Sequence, residues 1–292
     1  MAKKKEFKQY YTVDERIRRV WDIEEIKDLM CRRSFYYANN DRRGELNNCW
    51  VAEPKHRKSA SFGSNWGYYV GMDEISNWYV VQHDEKMKAA LKAINAEKPE
   101  IAYTEANQGR GCYFYQPMST PMVVLSGDGE TAKGMWYSIG NDSVYSGGEE
   151  AECRWKNGRV AADFVKENGE WKIWHLHMYT DFMCQFGDTF TGSSSGGGSG
   201  EPSGSGEQGG QIAYVGEEGA QELALSALEK GDYLYLTQYT EFSTSRLRQE
   251  MEVVPIPMPY DTWDFDVPNY GPAAEQLARY GLDVNDWYAV YG

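Results

Sequence analysis

The sequence predicts an α+β fold in which helices cover one face of a bent antiparallel sheet. Three observations carry this. Within residues 1–190, helical periodicity is confined to the chain up to Ile94, the apolar pattern switches to a period of two from Gly111 onward, and the strands culminate in a hairpin at Arg159 to Tyr179.

Taken in order, Asp14 to Ala38 reads as an amphipathic helix. Ile17, Val20, Trp21, Glu24, Ile26 or Lys27, Met30 and Ser34 trace its rows, and Ile23 and Leu29 widen the apolar stripe. Asn39-Asn40-Asp41 breaks it, and a shorter helical piece follows around Gly44 to Trp50. Trp66 to Val70 reads as a strand. Asp73 to Ile94 reads as a second long helix with Asp73 as its N-cap. Cys112 to Gln116, Met122 to Ser126, Thr131 to Ile139, Glu150 to Lys156 and the hairpin then supply about five strands, with Gly127-Asp128-Gly129 as a turn. In the hairpin, Asn168-Gly169 supplies the two φ > 0 positions of a tight turn. With Glu167 opposite Glu170, strict alternation puts Phe164 opposite Ile173, Ala162 opposite His175 and Val160 opposite His177, all on one face. Two histidines on the more apolar face are either cavity-lining groups or satisfied core or interface histidines.

Residues 192–210 hold 15 Gly or Ser in 19 positions, the composition of a flexible coil. The chain therefore divides into a domain over 1–190, a Gly/Ser-rich linker over 191–210 and an extension over 211–292. The extension carries 4 basic against 14 acidic residues and 13 aromatics. It holds most of the net charge of −14, and its aromatic content predicts packing on the domain or on a neighbouring subunit. A short helix at Gly219 to Lys230, a strand at Tyr233 to Tyr239 and an extended stretch through Pro255, Pro257 and Pro259 are expected within it.

An acidic chain repels phosphate backbones, so no nucleic acid partner is expected. No run approaches the ~18 apolar residues that span a bilayer, and five cysteines without a C-x-x-C pair fit a reduced compartment. A cytoplasmic protein without a membrane partner is the expectation. No phosphate-binding glycine loop or nucleophile elbow is present, and no cofactor is expected.

The segment DIEEIKDLMCRRSFYYANNDRRGEL (Asp22 to Leu46), taken with TAKGMWYSIG (Thr131 to Gly140) and the hairpin FVKENGEWKIWHLHMYTDF, resembles the SnoaL-like branch of the nuclear transport factor 2 superfamily. The resemblance covers roughly residues 14–186. It implies a cone, a strongly bent sheet wrapped around helices with an apolar pocket between them. Polyketide cyclases, ketosteroid isomerases, scytalone dehydratase and bile-acid dehydratase share it. The implied function is a cofactor-independent lyase (dehydratase) or isomerase moving protons on a steroid-like or other polycyclic hydrophobic substrate. The alternative is a non-catalytic ligand-binding or assembly protein of the same fold, and either would form a homo-dimer or homo-trimer.

In the dehydratase-like members a Tyr near the end of the first helix precedes an Asp by five residues, a spacing that Tyr36 and Asp41 match. Asp41 could equally cap the next helix. The histidine those members carry before the middle strands is missing here, and His175 or His177 would replace it as base. His83, in a polar run, is a third candidate with a solvated role more natural, and His56 between Lys55 and Arg57 reads as surface. Tyr115, Trp136 and Phe164 are the candidates for lining a substrate, with core filling the competing role. Asp41, His175 and His177 make a poor zinc signature, so no metal is expected.

Overall fold

The computed structural model describes residues 11–64, 67–145, 152–185, 234–235, 254–264 and 269–272, with single positions at 274, 278 and 283. Helix α1 (Val13–Ala38) starts at a capping box. Thr12 Oγ1 accepts from Glu15 N–H at 3.3 Å and Glu15 Oε2 accepts from Thr12 N–H at 2.8 Å, satisfying two orphan amides and worth about 1 kcal/mol. The helix stops at Asn39, and Asn40 takes φ 58°, the left-handed conformation asparagine tolerates.

The buried face of α1 is Asp22, Ile26, Leu29, Met30, Arg33 and Tyr37. Ile17, Val20 and Trp21, expected to mark the apolar stripe, are instead exposed. Helices α2 (Arg42–Cys49) and α3 (Pro54–Arg57) follow, then strands β1 (Ser61–Ser64) and β2 (Gly67–Val70). The second long helix runs as α4 (Met72–Ser76), a π-helical stretch (Asn77–Gln82) and α5 (His83–Glu97). Its N-cap is Gly71, not Asp73. The extra residue of the π-turn rotates Tyr79 and Val80 into the core.

The sheet continues with β3 (Cys112–Tyr115), β4 (Ser119–Leu125), β5 (Thr131–Val144), β6 (Glu152–Glu167), β7 (Glu170–Gln185) and β8 (Leu234–Tyr235). The order is β3-β5-β6-β7-β1-β2-β8, with β4 also on β5, giving an open eight-stranded sheet among the described residues. The pairings are antiparallel except for β1, which lies parallel to β7, so the sheet is mixed. The strand expected at Glu150 to Lys156 is the start of one 16-residue β6.

The hairpin turn forms as expected, with Asn168 at φ 53° and Gly169 at φ 85° between Glu167 and Glu170. Register holds to Phe164 opposite Ile173 and then slips. A bulge at Trp174 puts Asp163 opposite His175, Ala162 opposite Leu176, Ala161 opposite His177 and Val160 opposite Met178. One inserted residue exchanges the faces of everything beyond it. Leu176 therefore joins Val160, Ala162 and Phe164 in the main core, together with Ile26, Leu29 and Met30 of α1. His175 and His177 turn to the other face with Asp163 and Ala161.

Residues 254–264 and 269–272 lie over part of that second face. Val254 and Tyr270 pack on Met135, Ala161 and Tyr179. Tyr260 O and Asp261 O accept from Gly127 and Asp128 N–H at 2.8 and 3.0 Å. Trp263 stands 4.6 Å from the Trp174 ring. The linker, the helix expected at 219–230 and Trp66 lie outside the described residues; of the strand expected at 233–239, Leu234 and Tyr235 are seen, paired with Tyr69 and Tyr68.

Candidate functional site

On the helix-covered, concave face, polar groups converge from five elements. The i, i+3, i+4 spacing that buries Ile26, Leu29 and Met30 on α1 carries Arg33 and Tyr37 onto the same stripe. Arg42 and Glu45, one turn apart on α2, point inward from below. Tyr79 comes from the π-helical stretch, Asp142 from the far end of β5 and Lys156 from β6.

Glu45 joins three of these groups. Its carboxylate pairs with Arg33 Nε at 3.2 Å and accepts from Tyr79 Oη at 2.6 Å, while Arg42 donates to the Tyr79 oxygen. Tyr37 donates to Asp142 Oδ1 at 2.7 Å, and Lys156 donates to the other oxygen of Asp142. The Arg42 guanidinium lies 3.7 Å over the Tyr37 ring. Arg33 also donates to Gln116 Oε1 at 3.2 Å. Burial, with the Asp142 charge behind it, raises the Tyr37 hydroxyl above its usual range against the opposing Lys156 and Arg42, and Tyr79 is raised likewise by burial. Both phenols therefore stay protonated at neutral pH. Such buried charges are tolerable only because each has a partner.

His83, at the start of α5, is half-buried beside this cluster. Its Nε2 meets Asn40 Oδ1 at 2.5 Å and its ring stands 5.7 Å from Phe114. Burial, then the Arg42 charge, pushes its pKa down to about 4, so the imidazole is neutral at neutral pH. A cavity of about 20 Å³ opens between Gln116, Ser138, Lys156 and Met178, room for about one water-sized group.

The residues singled out from the sequence scatter. Asp41 is exposed and caps α2, accepting from Gly44 N–H at 2.7 Å. Tyr36 is half-buried against the core, and it is its neighbour Tyr37 that reaches Asp142. Trp136 and Phe164 interlock edge to face at 6.0 Å inside the core, while Tyr115 is exposed and stacks on Tyr113.

His175 and His177 are buried on the face carrying Asp163. His175 Nδ1 meets Asp163 Oδ2 at 2.8 Å and its Nε2 faces Ser59 O at 3.1 Å. Burial works against the imidazolium and outweighs those two acceptors, leaving its pKa lowered. Asp163 also takes Lys133 Nζ at 2.8 Å and Tyr270 N–H at 2.8 Å. Burial alone would raise its pKa, but Lys133 and the His175 hydrogen bond hold the carboxyl below the usual range. His177 contacts Tyr68 Oη at 3.0 Å, stacks on Tyr179 at 3.9 Å and is pushed by burial to about 3.

His56, expected at the surface, is buried and bonded to Glu167 Oε1 at 2.6 Å. With Glu53 it forms a set whose ligand atoms lie within 4.8 Å of one another. Glu167 is already occupied by the Ala52 and Glu53 amides and His56, which accounts for the grouping as an anchor of the hairpin end.

An open mixed sheet curled over helices, with a polar cluster on its concave side, defines an α+β cone with a site between the layers. The chain belongs to the SnoaL-like domain family, which matches residues 18–177. Solved structures similar to it include a protein of unknown function from Mycobacterium tuberculosis (14% identity, covering 55% of this chain and 76% of that one, TM-score 0.36). A protein provisionally assigned as a scytalone dehydratase from Novosphingobium aromaticivorans is similar at 13% identity, 57% and 89% coverage and TM-score 0.37. A hexachlorocyclohexane dehydrochlorinase from Novosphingobium barchaimii is similar at 13% identity, 57% and 92% coverage and TM-score 0.39. No curated protein sequence matches the chain significantly. No helix among the described residues is long and apolar enough to cross a membrane.

Proposed function

We propose that the chain is a cofactor-independent lyase or isomerase that moves a proton on a hydrophobic ring substrate at the concave face. The observation that carries this reading is the buried Tyr37–Asp142 hydrogen bond of 2.7 Å beside Lys156 and Arg42. It presents a phenol fixed in its protonated form next to cations. Lys156, with two protons beyond the one it gives Asp142, is the donor to a carbonyl or leaving oxygen; Tyr37, its single proton held by Asp142, fixes that carboxylate and through it Lys156, and Arg42 offsets negative charge developing on the oxygen. Neutral His83 is the base. Its Nε2 proton is committed to Asn40, which leaves the lone pair on Nδ1.

A second reading, a non-catalytic ligand-binding or assembly protein, is favoured by Trp136 and Phe164, which fill the core against each other. Solvent deuterium exchange into a panel of polycyclic ketones separates the two. Wild type is expected to catalyse exchange, and Tyr37→Phe and His83→Ala each to lower it by at least ~100-fold. Asp41→Ala, which removes only a helix cap, should cost ~1 kcal/mol of stability and little exchange. Wild-type exchange in both Tyr37→Phe and His83→Ala would reject the catalytic reading.

A further inference from the structure

The cavity on the concave face is rich in donors and poor in acceptors. Among the described residues no carboxylate lines it, whereas Gln116, Ser138, Lys156 and Arg159 do. Ser138 is buried, and its hydroxyl has no hydrogen-bond partner. Gln116 gives its Oε1 to Arg33, so its amide N–H is left facing only the Met178 sulfur at 3.9 Å. Lys156 commits one proton to Asp142 and has two more. Behind Gln116 stands Arg33, fully buried, with Nη2 unpartnered. Among the described residues Arg33, Arg42 and Lys156 face two carboxylates, Glu45 and Asp142, leaving one positive charge in excess.

Each candidate occupant meets these facts differently. A cation is repelled by Lys156, while the Arg159 charge is already paired with Asp181 at 2.8 Å. Water accepts from the wall, but its own two protons find few acceptors there. A neutral carbonyl accepts, yet leaves the excess charge uncompensated in a low-dielectric interior. A carboxylate satisfies both requirements, with lone pairs for Ser138 Oγ–H, Gln116 Nε2–H and Lys156 and one negative charge against the surplus.

We propose that this cavity recognises the carboxylate of a small apolar acid. The inference rests on the concave face being the substrate site, and it narrows the substrate class to organic anions. With room for about one oxygen-sized group, the cavity admits one carboxylate oxygen and leaves the second oxygen and the ring at its mouth.

The test is calorimetric titration of the full chain with benzoate and with its neutral counterpart benzamide. Benzoate should bind saturably, and benzamide at least ~10-fold more weakly. Ser138→Ala should weaken benzoate roughly 3- to 10-fold, and Gln116→Glu, which places a negative charge on the wall, should abolish it. Circular dichroism checks that both variants are folded. Equal affinity for the two probes, no saturable binding of benzoate, or unchanged affinity in folded Gln116→Glu would overturn the proposal. Exchange measured on the same samples keeps the two readings apart. Benzoate binding with wild-type exchange in Tyr37→Phe and His83→Ala rejects the catalytic roles alone, and exchange lost in those variants without benzoate binding rejects the carboxylate site alone.

Discussion

Asp163 receives three donors at once in a buried site: Lys133, the His175 ring and the Tyr270 amide. Because Lys133 and Asp163 are both essentially unexposed, removing the carboxylate strands an ammonium in the interior. Asp163→Ala should cost about 3–5 kcal/mol, read as a lowered urea midpoint. His177 makes the opposite demand, since burial holds it neutral down to about pH 3. An unfolded histidine takes up its proton near pH 6.5, so as pH falls below that value the unfolded state binds a proton that the folded state refuses. The stability tied to this residue is complete above about pH 6.5 and drains away toward pH 3, on the order of 4 kcal/mol in all. His177→Leu should flatten this acid limb in urea titrations run across pH, and an unaltered limb would show that other groups set it.

The two bulges on β7 give the sheet its bend and decide which face each side chain meets. At the second bulge, a Cβ on Gly158 would lie 2.0 Å from Tyr179 O, a backbone atom that cannot step aside. Gly158→Ala should therefore destabilise by about 1–3 kcal/mol and lower amide protection along β6 and β7 in hydrogen exchange. The first bulge marks where the sequence stopped being legible. The Asn168-Gly169 turn and the alternation around it determine register as far as Phe164 and Ile173, but alternation carries no mark of an extra residue. The trace was present in the apolar phase, which jumps three positions from Ile173 to Leu176 and then resumes at Met178. On α1 the stripe holds at Ile26, Leu29 and Met30 and fails in the first turns, where Ile17, Val20 and Trp21 are apolar yet exposed; Arg33 and Tyr37 follow the spacing of Ile26 and Met30 and were the signal for a polar site inside. Asp142 lies beyond the predicted end of β5 at Ile139. Its meeting with Tyr37 spans 105 positions, a separation that no local pattern encodes. The helices and strands were readable because their periodicity is local, whereas the site depends on which distant faces are folded together.

At the scale of the whole molecule, the segment around 254–271 is part of the sheet's packing. It sets Tyr260 3.0 Å from Thr131 Oγ1, lays Val254 and Tyr270 on Met135 and Ala161, and supplies the third donor to Asp163. Deleting residues 254–292 should expose that patch and leave the Lys133–Asp163 pair wet at one side. Lower thermal stability and concentration-dependent association by light scattering are expected; a monomer of unchanged melting temperature would show that the segment contributes no net stability. The bond from Tyr270 to Asp163 closes a separation of 107 residues. A ribosome making this chain therefore finishes the hairpin long before it makes the piece that seals it. Until the last segment emerges, the Lys133–Asp163 pair and the apolar patch of Met135, Ala161 and Tyr179 stay uncovered on the nascent domain. The last residues to be made are thus the ones that end the exposure of the face finished first.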